Sequence, residues 1–267
     1  MRMRVLGTAA GGGSPQWNCA CARCQWARAH GIARTQDSLA VSGNGSDWYL
    51  LNASPDVRAQ ILATPELRPG PGTRDTPLRG VVLTDAELDH VLGLFQLREA
   101  ATLDVHATAP VLAALDGPLP VRRVVDPYGN GWGWHTVSGE FELKGGLTVR
   151  QFPLGDKKPR YATGSGTDGG GWVSGLRIGD LVYAPCFARW TDTLDEALGG
   201  ARLALIDGTF LTPQEMPGIT GHLSIQDSLA HLARHPAVKF LYTHLNNTNP
   251  LVSDPVAHPV ASDQEAL

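Results

Sequence analysis

Thr84-Asp85-Ala86-Glu87-Leu88-Asp89-His90-Val91-Leu92-Gly93 carries three carboxylates and an imidazole within a few residues. It follows directly on Gly80-Val81-Val82-Leu83, an apolar run of the length of a buried strand. Carboxylates and imidazole gathered at a strand end suit a hard or borderline metal ion. Asp85, Glu87, Asp89 and His90 are therefore the first candidate site residues.

The rest of the chain must supply their partners. With 267 residues the chain is long enough to bury a sizeable core. A net charge of −4 argues against a nucleic-acid partner, which would require a basic surface. No apolar run has the roughly 18 residues that a membrane span needs, and the opening Met1-Arg-Met-Arg-Val-Leu-Gly7 reads as a first strand rather than a signal core. The expectation is a cytoplasmic protein without a membrane partner. Of four cysteines, three cluster as Cys19, Cys21 and Cys24. In a reducing compartment that spacing reads as a thiolate site for structural Zn(II) rather than as disulfides. Its fourth ligand is open, with Cys186 or a distant His or Asn as candidates.

Frequent glycine and proline favour many short elements. Strand-like runs fall at residues 3–6, 39–41, 48–51, 81–83, 105–107, 147–152, 176–178, 181–184, 203–206 and 238–242. Helical patterns fall at residues 24–29, 54–63, 90–101, 109–115, 192–198 and 225–234. The alternation predicts one α/β domain over residues 1–250, with an N-terminal zinc loop and a loose C-terminal tail over 251–267. The Gly-rich stretch at 164–171 reads as a flexible loop.

Two further histidines lie where α/β folds place site residues, at strand or helix ends. His222 precedes a helix pattern, and His244 follows the strand at 238–242. Asp89, His90 and His244 would form a two-histidine, one-carboxylate set of the kind that holds non-haem Fe(II) with positions left open. Asp85 and Glu87 then offer a second metal position or acceptors that orient His90. Asp207, at the end of the strand at 203–206, is either a partner for a site residue or a turn cap. His106 reads as a core or edge residue. His135, in Gly-Trp-Gly-Trp-His, is a secondary candidate for a loop over a pocket.

The segment Thr84–Gly93 has the spacing of the metallo-β-lactamase superfamily signature His-x-His-x-Asp-His-x-x-Gly, with Asp85 and Glu87 where the first two histidines stand. Val5-Leu-Gly-Thr-Ala-Ala-Gly-Gly-Gly13, Pro15-Gln-Trp-Asn-Cys19, Asn52-Ala-Ser-Pro-Asp56, Gly221-His-Leu223 and His244-Leu-Asn-Asn-Thr-Asn-Pro250 narrow this further. Together the chain resembles the PqqB family of pyrroloquinoline quinone (PQQ) biosynthesis. The resemblance implies a four-layer αβ/βα sandwich. It also implies an active-site Fe(II) on Asp89, His90 and His244, a structural Zn(II) on Cys19, Cys21 and Cys24, and roles for His222, Asp85 and Glu87 in catalysis. The dinuclear hydrolytic site of the superfamily looks dismantled, because Pro185-Cys186 replaces its bridging aspartate and no histidine stands near Phe152-Pro-Leu154. The segment from Met216 to His222 is shorter than in that family, and the chain ends sooner after Pro250, which leaves room for a paralogue with another aromatic precursor.

Three readings follow. The first is a mononuclear iron hydroxylase taking dioxygen and a tyrosine or catechol substrate, with a homodimer as its expected assembly. The second is a metal-dependent hydrolase. The third is a carrier for transport of the quinone or its precursor; for this role the sequence shows no basic cluster beyond what Arg58, Arg98, Lys157 and Lys158 contribute.

Overall fold

The computed structural model describes residues 1–128, 131–164, 170–254 and 258–267. Most of the Gly-rich stretch at 164–171 lies outside these residues. Two six-stranded sheets stack face to face. The first runs β1 (Arg2–Gly7), β2 (Ser38–Ser42), β3 (Trp48–Leu51), β4 (Leu78–Val82), β5 (Asp104–Ala107) and β6 (Gly133–Thr136). The second holds β7 (Glu140–Leu143), β8 (Leu147–Gly155), β9 (Val173–Ile178), β10 (Leu181–Ala184), β11 (Leu203–Asp207) and β12 (Lys239–Thr243), again in sequence order.

Alternation along each strand builds the layers. Tyr49 and Leu51 of β3 meet Leu205 of β11 and Leu241 of β12 in the layer between the sheets. The alternate residues Trp48, Leu50, Ala204 and Tyr242 face outward and are buried under helices. The helices are α1 (Ala22–His30), α2 (Val57–Ala63), α3 (Leu88–Val91), α4 (Gly93–Leu97), α5 (Ala109–Asp116), α6 (Val121–Val125), α7 (Asp192–Leu198) and α8 (Ile225–Leu232). This is the four-layer sandwich expected from the sequence. No helix among the described residues is long and apolar enough to cross a membrane.

Several local expectations are corrected. The single helix expected at 90–101 is two short ones, α3 and α4. Helix α2 begins at Val57 rather than Ser54, because Ser54 precedes Pro55, which disfavours helical backbone there, and its hydroxyl and carbonyl accept from Asp56 and Val57 N–H at 3.2 and 3.0 Å in a turn. His135 lies in edge strand β6, not in a loop over a pocket. The described end of the chain is not loose. Tyr242 N–H donates to Pro259 O and Ala261 N–H to Tyr242 O, which lays residues 259–261 along β12. Val5 and residues 264–265 exchange backbone hydrogen bonds of 2.9 and 2.7 Å along β1. Between these two segments the Asp263 carboxylate accepts from the Thr8 hydroxyl and the Thr35 N–H, both at 2.6 Å.

Candidate metal centre and its cleft

The parallel strands β4, β10, β11 and β12 deliver their carboxyl ends to one rim of the sandwich, where the candidate residues converge. At the end of β4, Asn52 Nδ2 donates to the Thr84 hydroxyl at 3.0 Å and Asn52 Oδ1 accepts from Thr84 N–H at 2.9 Å, pinning the turn that follows. Asn52 adopts the left-handed backbone region, with φ 65°. Gly93, at the end of the quoted segment, packs so closely that a Cβ there would stand 2.3 Å from Ser54 O, so only glycine lets α4 seat against the loop after β3.

Asp85 and His90 are fully enclosed. His90 Nδ1–H donates to the Asp85 carboxylate, whose oxygens lie at 2.8 and 2.7 Å. That leaves Nε2 facing Asp89 and His244, and His90 Nε2 is a buried nitrogen with no hydrogen-bond partner among the described residues. Asp89 Oδ2 stands 4.0 Å from it and 3.1 Å from His244 Nε2. One donor atom from each of Asp89, His90 and His244 lies within 4.8 Å of the other two. Burial opposes charge on the His90 ring, but the Asp85 and Asp89 carboxylates outweigh it and push its pKa up to about 10. Burial likewise opposes ionisation of Asp89, yet His90 and His244 hold its carboxyl well below the usual range. A site that binds a proton this strongly draws a cation for the same reason, and the partnerless Nε2 fits a metal ion placed between the three side chains.

His244 follows β12 in the left-handed region, φ 57°, a strained setting for a residue with a Cβ. Its Nδ1–H donates to the Thr209 hydroxyl at 2.9 Å, which orients Nε2 toward Asp89. Thr209 in turn donates to Asp207 Oδ1 at 2.7 Å, and Asp207 Oδ2 accepts from His222 Nδ1–H at 2.8 Å. Asp207 is therefore a partner of a site residue, not a turn cap alone. The Cys186 thiol lies 3.7 Å from His222 Nδ1, and burial beside Asp85 and Asp207 pushes its pKa well up, keeping it neutral. Glu87 stands apart from these donors: it pairs with Lys157 at 3.1 Å, and both side chains line the same cavity.

The second cluster forms where α1 begins. Cys21 is its N-cap, with Sγ accepting from Cys24 N–H at 3.5 Å. Cys19, Cys21 and Cys24 place their sulfurs within 4.8 Å of one another. Cys186 is too far away to join them, since it packs on His222. Beside them stands Asn247, whose Nδ2 lies 3.2, 3.9 and 3.3 Å from the sulfurs of Cys19, Cys21 and Cys24. A half-turn of the amide exchanges nitrogen for Oδ1, a donor able to complete four-coordination. The run His244-Leu-Asn-Asn247 thus serves both clusters.

Asp89, His90, His222 and His244 line a cavity of 210 Å³. Glu87, Lys157 and Ile219 also line an adjoining cleft of 690 Å³, whose walls add Lys158, Arg160 and Tyr161. The chain does fold a basic wall beside the site, although Arg58 and Arg98 are not part of it. Lys157, Lys158 and Arg160 lie close together in sequence, but only the turn after β8 aims them at the cleft.

A family model described as the beta-lactamase superfamily domain matches residues 47–245. The Coenzyme PQQ synthesis protein B of Cupriavidus necator is 39% identical, over 94% of this chain and 90% of its own length. That of Methylobacterium radiotolerans is 35% identical over 100% and 95%. The crystal structure of Zn(2+)-bound PqqB from Methylobacterium extorquens is similar at a TM-score of 0.88, with 34% identity over 100% of this chain and 99% of that one. A diphosphatase of the PhnP family shares the fold at a TM-score of 0.74 and 22% identity.

Proposed function

This chain belongs to the PqqB family of coenzyme PQQ synthesis proteins in the β-lactamase superfamily, and on that footing we propose that it hydroxylates a tyrosine-derived precursor of the quinone at one Fe(II) bound by Asp89, His90 and His244. The observation that carries the reading is the buried, partnerless Nε2 of His90 facing Asp89 Oδ2 and His244 Nε2. Fe(II) held on one face by two imidazoles and a carboxylate supplies dioxygen activation beside a bound phenol or catechol.

The remaining work belongs to the chain itself. Asp85 fixes the tautomer and tilt of His90, and Thr209 does the same for His244. His222, anchored through Nδ1 to Asp207, faces the cavity and can hold or release a proton at Nε2 during ring hydroxylation. Lys157, Lys158 and Arg160 suit the carboxylates of an amino-acid-derived substrate, which would orient its ring toward the cavity. One oxygen atom enters the ring and the other leaves as water, with two electrons and two protons drawn from an added reductant.

Anaerobic loading with one equivalent of Fe(II), followed by oxygen, ascorbate and tyrosine or a tyrosine-containing peptide, tests this. Oxygen uptake with a product one oxygen atom heavier is the expected result; metal retention without uptake across these substrates would sink the reading. One observation favours a hydrolytic alternative: Cys186, Asp207 and His222 offer a second set of donor atoms within 4.8 Å of one another. Two zinc ions bound in the cavity, with phosphodiester or ester cleavage, would decide for it.

Two substitutions separate the parts. Asp85→Asn keeps the shape but weakens the acceptor behind His90, and Fe(II) affinity should fall by roughly 10- to 100-fold, read by metal competition titration. Lys157→Ala should raise KM for a carboxylated substrate by roughly tenfold while kcat holds, because Lys157 contacts substrate carboxylate and not the metal ligands. An unchanged KM would remove the basic wall from substrate binding.

A further inference from the structure

On the side of the sandwich away from β1 and β12, the sheets end on strands β6 and β7, and a third cluster of donors stands at that rim. Asp104 and His106 are two residues apart on β5 and so share one face. Parallel register sets His135 of β6 directly beside His106. Val105 and Ala107 pack into the outer helical layer, so Asp104, His106 and His135 face the gap between the sheets where it opens to solvent.

The geometry is fixed from both sides. His135 Nε2 lies 2.9 Å from Asp104 Oδ1. The His106 and His135 rings stack with centroids 4.7 Å apart, and Phe141 of β7 covers the His106 ring at 5.5 Å. One donor atom from each of the three residues lies within 4.8 Å of the others. Gly133 leaves the space open: a Cβ there would stand 2.3 Å from Asp104 Oδ1 and 2.4 Å from His135 Nε2. His106 makes no side-chain hydrogen bond among the described residues. A neutral imidazole without such a partner keeps the lone pair of one ring nitrogen for a metal ion.

We propose that Asp104, His106 and His135 form a separate metal position on the sheet rim, for a borderline divalent ion of the zinc class. Two imidazoles and one carboxylate match such an ion in donor type. On binding, the N–H that His135 Nε2 directs at Asp104 moves to Nδ1 by tautomer exchange, which frees the Nε2 lone pair for the ion. The ion would staple β5 to β6, and water would complete its coordination on the open side.

The test is a Zn(II) titration of chelator-stripped protein, by calorimetry and by metal analysis after dialysis. Wild type should take up one more equivalent than His135→Ala, a variant that removes a half-exposed side chain and leaves the core intact. His244→Ala should retain that extra equivalent, which separates it from the centre at the carboxyl ends of the strands. Gly133→Ala keeps all three ligands but crowds two of them, and should weaken the same equivalent by roughly tenfold or more. Equal zinc uptake by wild type and His135→Ala, or unaltered affinity in Gly133→Ala, would overturn the assignment.

Discussion

Asp89→Ala and His244→Ala should each weaken metal binding at the carboxyl-end cluster by roughly 100-fold or more, about 2.7 kcal/mol, and abolish oxygen consumption. Each residue would supply one of three donors, and among the described residues the group that brings these donor atoms together holds Asp89, His90 and His244 alone. Loss of Asp89 also removes the negative charge that balances two buried imidazoles. Metal content after dialysis, measured beside oxygen uptake, reads the two effects separately. His222→Ala supplies the contrast, since His222 touches the cavity but is not among the three donors. It should keep the metal and lose turnover. Full metal retention in His244→Ala would remove His244 from the site.

Cys24→Ser is expected to destabilise the fold by on the order of 3 kcal/mol, the upper range of single substitutions, and so to lower Tm by roughly 6–12 °C for a chain of this size. Cys24 is buried, and it joins the start of α1 to Asn247 across 223 positions of sequence. A metal on these thiolates closes nearly the whole chain into one loop, and its binding energy becomes folding energy. A strong chelator should reproduce the shift in wild type and have little further effect on the variant. Because Asn247 follows His244 by only three residues, chelation should also disturb the orientation of His244. Identical melting of wild type and variant in both conditions would show that the thiolates hold no structural ion.

Short apolar runs marked most of the strands and so an α/β domain, while the four-layer sandwich came from the family resemblance; Asp89, His90 and His244 were grouped because they follow such runs. Asp85 was legible only as one of two alternatives, and the fold sets its carboxylate against His90 Nδ1, a contact that no local pattern announces. Thr209 was not singled out: a lone threonine carries no periodic or spacing signal, and its link to His244 forms only when β11 and β12 lie side by side. The family resemblance pointed to the position three residues after His244, where Asn247 stands in place of a histidine, and left the fourth ligand open; the fold sets its amide against the thiolates. Strands β6 and β7 were missed for a different reason. They are short edge strands of four residues, exposed along part of their length, so neither offers the buried apolar run that marked the rest. The cluster of Asp104, His106 and His135 was hidden with them.

The final residues have a consequence for how copies of the chain meet one another. A sheet's outermost strand offers unpaired backbone groups that any extended peptide can join. Residues 259–261 and 264–266 occupy those groups on β12 and β1 in turn, so one short segment shields both sheets on the same side. Proteolytic trimming there would leave the metal cluster's ligands in place and open two adhesive edges at once. The damage would then show as self-association into strand-paired polymers before any loss of the folded core.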